Sequence, residues 1–358
     1  MPIRLAVLGA GSWGSKLCRE YAGIERSTKD FSLSWVVDAS SSALDSVKNE
    51  IGQGGRTFSL DYFTPLRNRS VDAVHVALPT PLHYQTARAA LEAGKHVLLE
   101  KPMATSSREA FKLASLAEEL GLVLQIGHIF RFNSSLRMVR QMIREGRIGK
   151  VFYAKLDWAT DEIPTGERDI VFDLAPHPID VLNYLLDEWP SDVDAVGESY
   201  LRRQRSLEEM AFINLQFPDR ITANVYLSWI QHASKDRLVR IVGEDGTLHC
   251  DALNQSVTLH TKKGVSKIPA SAFPWLGSND NARSSQPGGH GKVPNNTIRD
   301  MQLHFLDTVR GRGPQFNSAM IGARNVEVLE AITRAMRMRR GAQTEPQYPP
   351  IASQEGAR

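Results

Sequence analysis

IRLAVLGAGSWG, residues 3–14, is the stretch that decides the fold. Ile3 to Leu8 is an apolar run of strand length, and Gly9-Ala10-Gly11-Ser12-Trp13-Gly14 follows it at once. Trp13, Leu17 and Tyr21 then recur at i, i+4 and i+8, which predicts a helix over about residues 13–22. A strand that passes through G-x-G-x-x-G into a helix is the context this motif needs in order to bind a dinucleotide. Gly9 permits the tight turn, Gly11 lets backbone approach a pyrophosphate, and Gly14 lets helix and strand pack closely. The amides and dipole at the helix N-terminus would then hold the phosphates.

Working outward, Phe31 to Val37 reads as a second strand ending in Asp38. An acid there accepts hydrogen bonds from ribose hydroxyls and repels a 2′-phosphate, which favours NAD over NADP. Asp38 comes 29 positions after Gly9, later than the usual ~20. A polar loop from Glu25 to Asp30 would account for the delay, and a helix N-cap before Ser40 is the alternative role for Asp38. Val71 to Leu78 and His96 to Leu99 are further strands, with a helix from Tyr84 to Ala93 between them, closed by Gly94. Ser106 and Glu109 have capping-box spacing for a helix to about Leu120, and Leu122 to Ile126 is another strand. This alternation predicts a doubly wound parallel sheet of Rossmann type over residues 1–127. Glu100-Lys101-Pro102 stands at the carboxyl end of a strand, where open α/β sheets bind ligands. A surface lysine in a loop is the plainer alternative.

The second half reads differently. Gly127-His128-Ile129-Phe130-Arg131-Phe132-Asn133 leads into a helix to about Glu145. Strand-like runs follow at 151–158, 211–217, 221–229, 238–242, 247–251 and 257–260, several separated by hairpin-type turns. The expectation is an α+β domain over 128–342 with an open, largely antiparallel sheet, whose exposed face another subunit would cover. Residues 277–296 read as a long loop, 297–310 and 319–339 as helices, and 343–358 as a poorly ordered tail.

Composition fits an ordinary soluble globular protein, with 23% charged and 42% hydrophobic residues in 358. The net charge of +3 suits an anionic ligand without calling for nucleic acid, and no helix-turn-helix or basic stripe is evident. Cys18 and Cys250 make neither a disulfide framework nor a CxxC metal site, so a reducing cytoplasm is expected. No apolar run reaches the length of a membrane span, and the opening strand is too short for a signal sequence.

Four motifs together resemble the glucose–fructose oxidoreductase/inositol dehydrogenase (Gfo/Idh/MocA) family. They are GAGSWG at 9–14, TPLH at 80–83, AGKHVLLEKPMA at 93–104 and DLAPHPID at 173–180. The similarity extends to His304-Phe305, Gly322 and Val328 to Ala331. GHIFRFN at 127–133 and FDLAPHPIDVLNYLL at 172–186 further resemble the members that oxidise a ring hydroxyl of UDP-linked sugars, although Ser134 stands where those usually have proline.

The resemblance implies a hydride transfer between NAD and a sugar hydroxyl or ketone. It places Lys101, Asp173 and His177 at the catalytic centre, with the lysine on the reacting oxygen, His177 as general base and Asp173 orienting the imidazole from four residues away. It implies cofactor contacts at Gly9, Gly11, Ser12, Trp13, Gly14, Asp38, Leu78, Thr80, His83, Glu100, Lys101 and Pro102, with a Lys101–Pro102 bond that is often cis. His128 and Arg131 join Lys101, Asp173 and His177 as candidate substrate contacts, Arg131 through its fork of donors. The cluster Arg202-Arg203-Gln204-Arg205 is a second candidate for phosphates, or a solvated loop. Trp13, Trp158 and Trp229 line the cleft or fill cores. A capping pair remains the alternative for Asp173 and His177, and a metal pair lacks a third ligand. A free-sugar, amino-sugar or inositol dehydrogenase, an NADP-linked ketoreductase and a non-catalytic NAD(H) sensor are the competing functions. A homodimer or homotetramer is implied.

Overall fold

The computed structural model describes residues 2–162, 168–205, 207–232, 235–269, 272, 296–313 and 315–342. The expected loop at 277–296, apart from Asn296, and the expected tail at 343–358 lie outside the described residues.

The first sheet is built from β1 (Ile3–Leu8), β2 (Phe31–Val37), β3 (Thr57–Ser59), β4 (Ala73–Val76), β5 (His96–Leu99) and β6 (Leu124–Ile126), ordered β3-β2-β1-β4-β5-β6 and parallel throughout. Its central strands are apolar on both faces because helices cover both sides. Those helices are α1 (Ser12–Ser27), α2 (Ser41–Ile51), α3 (Phe63–Arg67), α4 (His83–Glu92) and α5 (Ser107–Glu119). Order reverses between β1 and β4, so the crevice for a ligand opens above their carboxyl ends.

The expected Glu25–Asp30 loop is corrected. Leu17, Tyr21 and Ile24 are buried at helical spacing, so α1 runs on to Ser27 and contains Glu25. The longer helix, not a loop, delays Asp38. Glu25 is held there by an ion pair with Arg56.

The second sheet follows α6 (Ser134–Arg144). It comprises β7 (Val151–Ala159), then, after α7 (Ile170–Leu174) and α8 (Pro176–Leu186), β8 (Asp192–Glu198), β9 (Met210–Gln216), β10 (Thr222–Ser228), β11 (Asp236–Gly243), β12 (Thr247–Asp251), β13 (Ser256–Thr261) and β14 (Gly264–Ile268). The order is β14-β13-β12-β11-β7-β10-β9-β8, antiparallel except for the parallel β7–β10 pair. One face, including Leu156, Trp158, Ile213, Val225 and Ile241, packs on α6 and α8. The other face carries Phe212 stacked on Tyr226 and a 38% exposed Leu238. The polar edge strands β8 and β14 escaped the apolar-run reading.

The chain then returns to the first sheet through α9 (Thr297–Val309) and α10 (Ala319–Ala342). Met301 and Phe305 enter the core around Leu5 and Tyr21, while Ala323 and Val326 join the core around Val76 and Leu99. Ile126 and Asn317 exchange backbone and side-chain hydrogen bonds at the β6 edge. The stretch 128–342 is therefore not confined to the second sheet. Further along α10, Leu329 and Ile332 enter the other core, so this helix ties the two sheets together.

Candidate active site

The glycine turn takes the geometry its sequence demands. Gly9 has φ +108°, and a Cβ there would lie 2.3 Å from the Ala77 carbonyl oxygen. A Cβ on Gly14 would lie 2.0 Å from the Gly9 carbonyl oxygen, so only glycine lets α1 start this close to β1. At Gly11 nothing lies within 4 Å of an added Cβ, which leaves open space before the amides of α1. Ser12 is the first residue of that helix, and Trp13 borders the cleft. These features fit a dinucleotide pyrophosphate. Asp38 Oδ2 accepts the Ala10 N–H at 2.7 Å and Oδ1 the Ser40 N–H at 2.8 Å. Its carboxylate is thus fixed beside the turn with lone pairs to spare for ribose. The N-cap of α2 is Ser40, whose Oγ accepts the Ala43 N–H, and not Asp38.

A cleft of about 610 Å³ lies between the two sheets. Lys101, Asp173 and His177 all border it, with Leu78 and Glu100 on the cofactor side. The Lys101–Pro102 bond is cis. Lys101 Nζ donates to the Asp173 carbonyl oxygen at 2.9 Å and stands 3.9 Å from Asp173 Oδ1. Burial pulls the lysine below its ordinary value, while Asp173 and Glu100 oppose the shift. Burial, and then the charges of Lys101 and Arg237, hold His177 well below its ordinary value. Its Nδ1 is sealed without a partner, which leaves Nε2 as the nitrogen able to meet a ligand.

Several expectations change here. Asp173 does not bond to His177. The Asp173 carboxylate turns to Arg168, which donates to both its oxygens at 2.5 Å. His177 instead meets Phe130 edge-on at 5.1 Å. Arg131 faces inward, only 4% exposed: Nε donates to Asp180 at 2.8 Å, Nη1 to the Phe316 carbonyl at 2.9 Å and Nη2 to Asn183 at 2.6 Å. Its fork is filled, so it is not free for a phosphate. His128 is equally buried, 3.8 Å from Asp180, and its ring nitrogens have no hydrogen-bond partner. Both lie behind the cleft wall.

His83 is also sealed. Its Nδ1 lies 2.8 Å from the Pro102 carbonyl and its Nε2 2.7 Å from that of Leu78, so it ties two cleft loops together from beneath and does not reach a cofactor itself. Thr80 opens the short 3-10 turn between those loops. Arg202 is committed to the buried Glu209 at 2.8 Å, lies over Trp229 and donates to the Arg168 carbonyl, so it positions the cleft wall and is not available to a phosphate. Trp13 and Trp229 border the cleft, whereas Trp158 is core with Arg237 above its ring.

Unforeseen cleft residues are Lys16, Glu162, Arg168, Lys235 and Arg237. A signal for Arg237 was present, since it shares strand parity with the inward-facing Val239 and Ile241. Burial pulls its guanidinium down to about 10. Among the described residues the cleft presents Lys16, Lys101, Arg168, Lys235 and Arg237 against Glu100, Glu162 and Asp173. That excess of positive charge suits an anionic ligand.

Residues 3–128 match the oxidoreductase family with an NAD-binding Rossmann fold (GFO/IDH/MocA), and residues 136–249 match the GFO/IDH/MocA C-terminal domain. The chain is 29% identical over 269 residues to UDP-N-acetylglucosamine 3-dehydrogenase of Acidithiobacillus ferrooxidans, covering 75% of this chain and 79% of that one. It is 28% identical over 214 residues to 1,5-anhydro-D-fructose reductase of Ensifer adhaerens, where the match spans 56% of this chain and 64% of the relative. Levoglucosan dehydrogenase, solved with NADH and levoglucosan, superposes with a TM-score of 0.82 at 17% identity over 94% of this chain and 98% of its own, which shows a shared fold. A parallel dinucleotide-binding sheet joined to a second, mostly antiparallel sheet, and family matches over both halves, lead to one conclusion: the chain belongs to the Gfo/Idh/MocA family of NAD-binding oxidoreductases, which act on CH–OH groups of sugars and related polyols.

Proposed function

We propose that this enzyme moves a hydride between NAD and a ring hydroxyl or ketone of a UDP-linked sugar, with Lys101, Asp173 and His177 as its working groups. The observation that carries this reading is the cleft itself, where Lys101 is tied to Asp173 at 2.9 Å and His177 borders the same space. NAD, when bound, supplies the hydride acceptor at its nicotinamide ring. His177 is neutral at physiological pH because burial and neighbouring cations disfavour its charged form, so Nε2 can take the hydroxyl proton. The Lys101 ammonium donates to the reacting oxygen and stabilises charge that develops there. Asp173 holds that ammonium in place and keeps Arg168 at the cleft edge.

The basic cleft and the similarity to a UDP-N-acetylglucosamine 3-dehydrogenase support the nucleotide-linked substrate. The face with exposed Phe212 and Leu238 and half-buried Tyr226 supports a homodimer or homotetramer through the second sheet, and light scattering that showed only monomer would refute it. Cys18 and Cys250, both free and buried, support a cytoplasmic setting.

The test follows nicotinamide absorbance with NAD and then NADP across free hexoses, inositols, sugar phosphates and UDP-sugars, with Lys101→Met in parallel. Turnover with NAD on UDP-sugars, lost in the variant, is the expected result. Turnover confined to free sugars or inositols would overturn the substrate assignment. Tight cofactor binding without turnover on any sugar would favour a sensor.

A further inference from the structure

A line of buried polar groups runs behind the cleft that neither the proton nor the hydride transfer uses. Tyr21 on α1 and His75 on β4 are 0% exposed, and Glu100 after β5 is 5% exposed. Tyr21 Oη lies 3.2 Å from His75 Nδ1, and His75 Nε2 lies 3.2 Å from Glu100 Oε1. Glu100 in turn borders the cleft beside Lys101.

The direction of this line follows from donor chemistry. A carboxylate only accepts, so His75 donates from Nε2. A neutral imidazole with its hydrogen on Nε2 has an acceptor at Nδ1, and the Tyr21 hydroxyl is the donor that fills it. Tyr21 thereby selects the tautomer, and His75 brings an N–H to Glu100. Burial raises the Glu100 carboxyl, but the His75 bond, with Trp13 and Lys101 nearby, brings it below its ordinary value. On its far side the carboxylate abuts Gly127, where a Cβ would lie 2.8 Å from Oε2. The group is clamped between the ends of β4 and β6.

Topology says what this anion faces. The turn at Gly11 takes the pyrophosphate, and Asp38 at the end of β2 takes the adenosine ribose. The other half of the dinucleotide must then extend over the ends of β4 and β5, where Glu100 stands. We propose that Tyr21 and His75 are positioning residues that hold Glu100 as a fixed anion at the nicotinamide end of the cleft, biasing it toward the oxidised, positively charged ring over the neutral reduced one. The inference rests on NAD as cofactor and not on the choice of sugar.

Lys101, Asp173 and Arg168 face the same end and are common to all the variants below, so the informative quantity is a change in ratio. Dissociation constants for NAD⁺ and NADH are measured on the full chain without substrate, by protein and NADH fluorescence. His75→Leu is expected to lower the NAD⁺-to-NADH affinity ratio on the order of tenfold, since without the His75 N–H the buried Glu100 carboxyl takes up a proton and a single negative charge is lost at short range in a partly buried site. Glu100→Gln should do the same, and Tyr21→Phe should shift the ratio less. His75→Gln, whose amide N–H stands in for Nε2–H, should restore most of it. Equal weakening of both cofactor forms, or an unchanged ratio in Glu100→Gln, would overturn the proposal. If His75→Leu does not fold, Glu100→Gln and Tyr21→Phe decide it. A ratio that shifts as expected in a protein inactive on every UDP-sugar would sink the substrate assignment and leave this inference standing.

Discussion

Replacing Arg131 with methionine distinguishes a strut from a substrate contact. The arginine makes bonds of 2.8, 2.9 and 2.6 Å to Asp180, the Phe316 carbonyl and Asn183, joining the strand end after β6 to α8 and to the segment before α10. Methionine keeps much of the aliphatic bulk but strands Asp180, which is 1% exposed. Removing one partner of a buried ion pair costs about 3–5 kcal/mol, because the other charge remains desolvated. Removing both costs less. Asp180→Leu in the Arg131→Met background should recover roughly 2–3 kcal/mol, read as coupling in a double-mutant cycle. Urea unfolding followed by tryptophan fluorescence and by circular dichroism supplies the assay, and coincident transitions are needed before free energies are compared.

A second signature comes from His128, 3.8 Å from Asp180 and held below its ordinary value by burial, with Arg131 adding to the shift and Asp180 opposing it. Without Arg131 its folded pKa should rise, since Asp180 is left unpaired. A depressed folded value costs stability as pH falls through the unfolded pKa, and the variant, whose His128 is less depressed, loses less there. The variant's deficit should therefore shrink from about pH 8 to about pH 6, around the ordinary histidine value of ~6.5. An unchanged urea midpoint with a large rise in substrate KM would refute the reasoning and return Arg131 to the substrate.

Two further outcomes follow from burial and from the glycine turn. His128 is held below 6.5, chiefly by burial, so the unfolded chain takes up its proton first and stability falls as pH drops below about 6.5, by up to ~1.4 kcal/mol per pH unit. A urea midpoint that stays flat from about pH 7.5 to about pH 5.5 would contradict this. Gly14→Ala sets a methyl 2.0 Å from the Gly9 carbonyl, so α1 must move off β1. NADH affinity should fall at least about tenfold, with ~1–3 kcal/mol lost to overpacking, and unaltered NADH fluorescence titration would exclude it.

The first sheet was legible because its signals are local. An apolar strand, a glycine turn and a helical stripe each lie within a dozen residues, and Ser106 caps α5 at the expected place, accepting the Glu109 N–H. The second sheet was legible in part. β9 alternates buried and exposed residues, as a half-covered strand must, but β8 and β14 sit at the sheet edges with little apolar content and gave no such pattern. The return of α9 and α10 to the first sheet could not be read either, because an amphipathic helix specifies an apolar face and not the surface that will cover it.

The candidate site shows the same limit at the scale of single side chains. Lys101, Asp173 and His177 come together as the motifs suggested, yet the roles of the residues around them depend on partners far away in sequence. Arg131 and Asp180 are 49 positions apart, and Lys101 and Asp173 are 72 apart. Asp173 and His177 are the instructive pair, because their i, i+4 spacing would bring them together in one continuous helix. Here α7 ends at Leu174 and Pro176 opens α8, as expected of a residue that favours the first turn of a helix. Yet Ala175 between them stays helical, and the side chains part by their choice of partners: the carboxylate meets Arg168 and Lys101, and the imidazole is left among cations with no anion bonded to it. A histidine in that setting stays neutral and ready to accept a proton, whereas one paired with Asp173 would favour imidazolium.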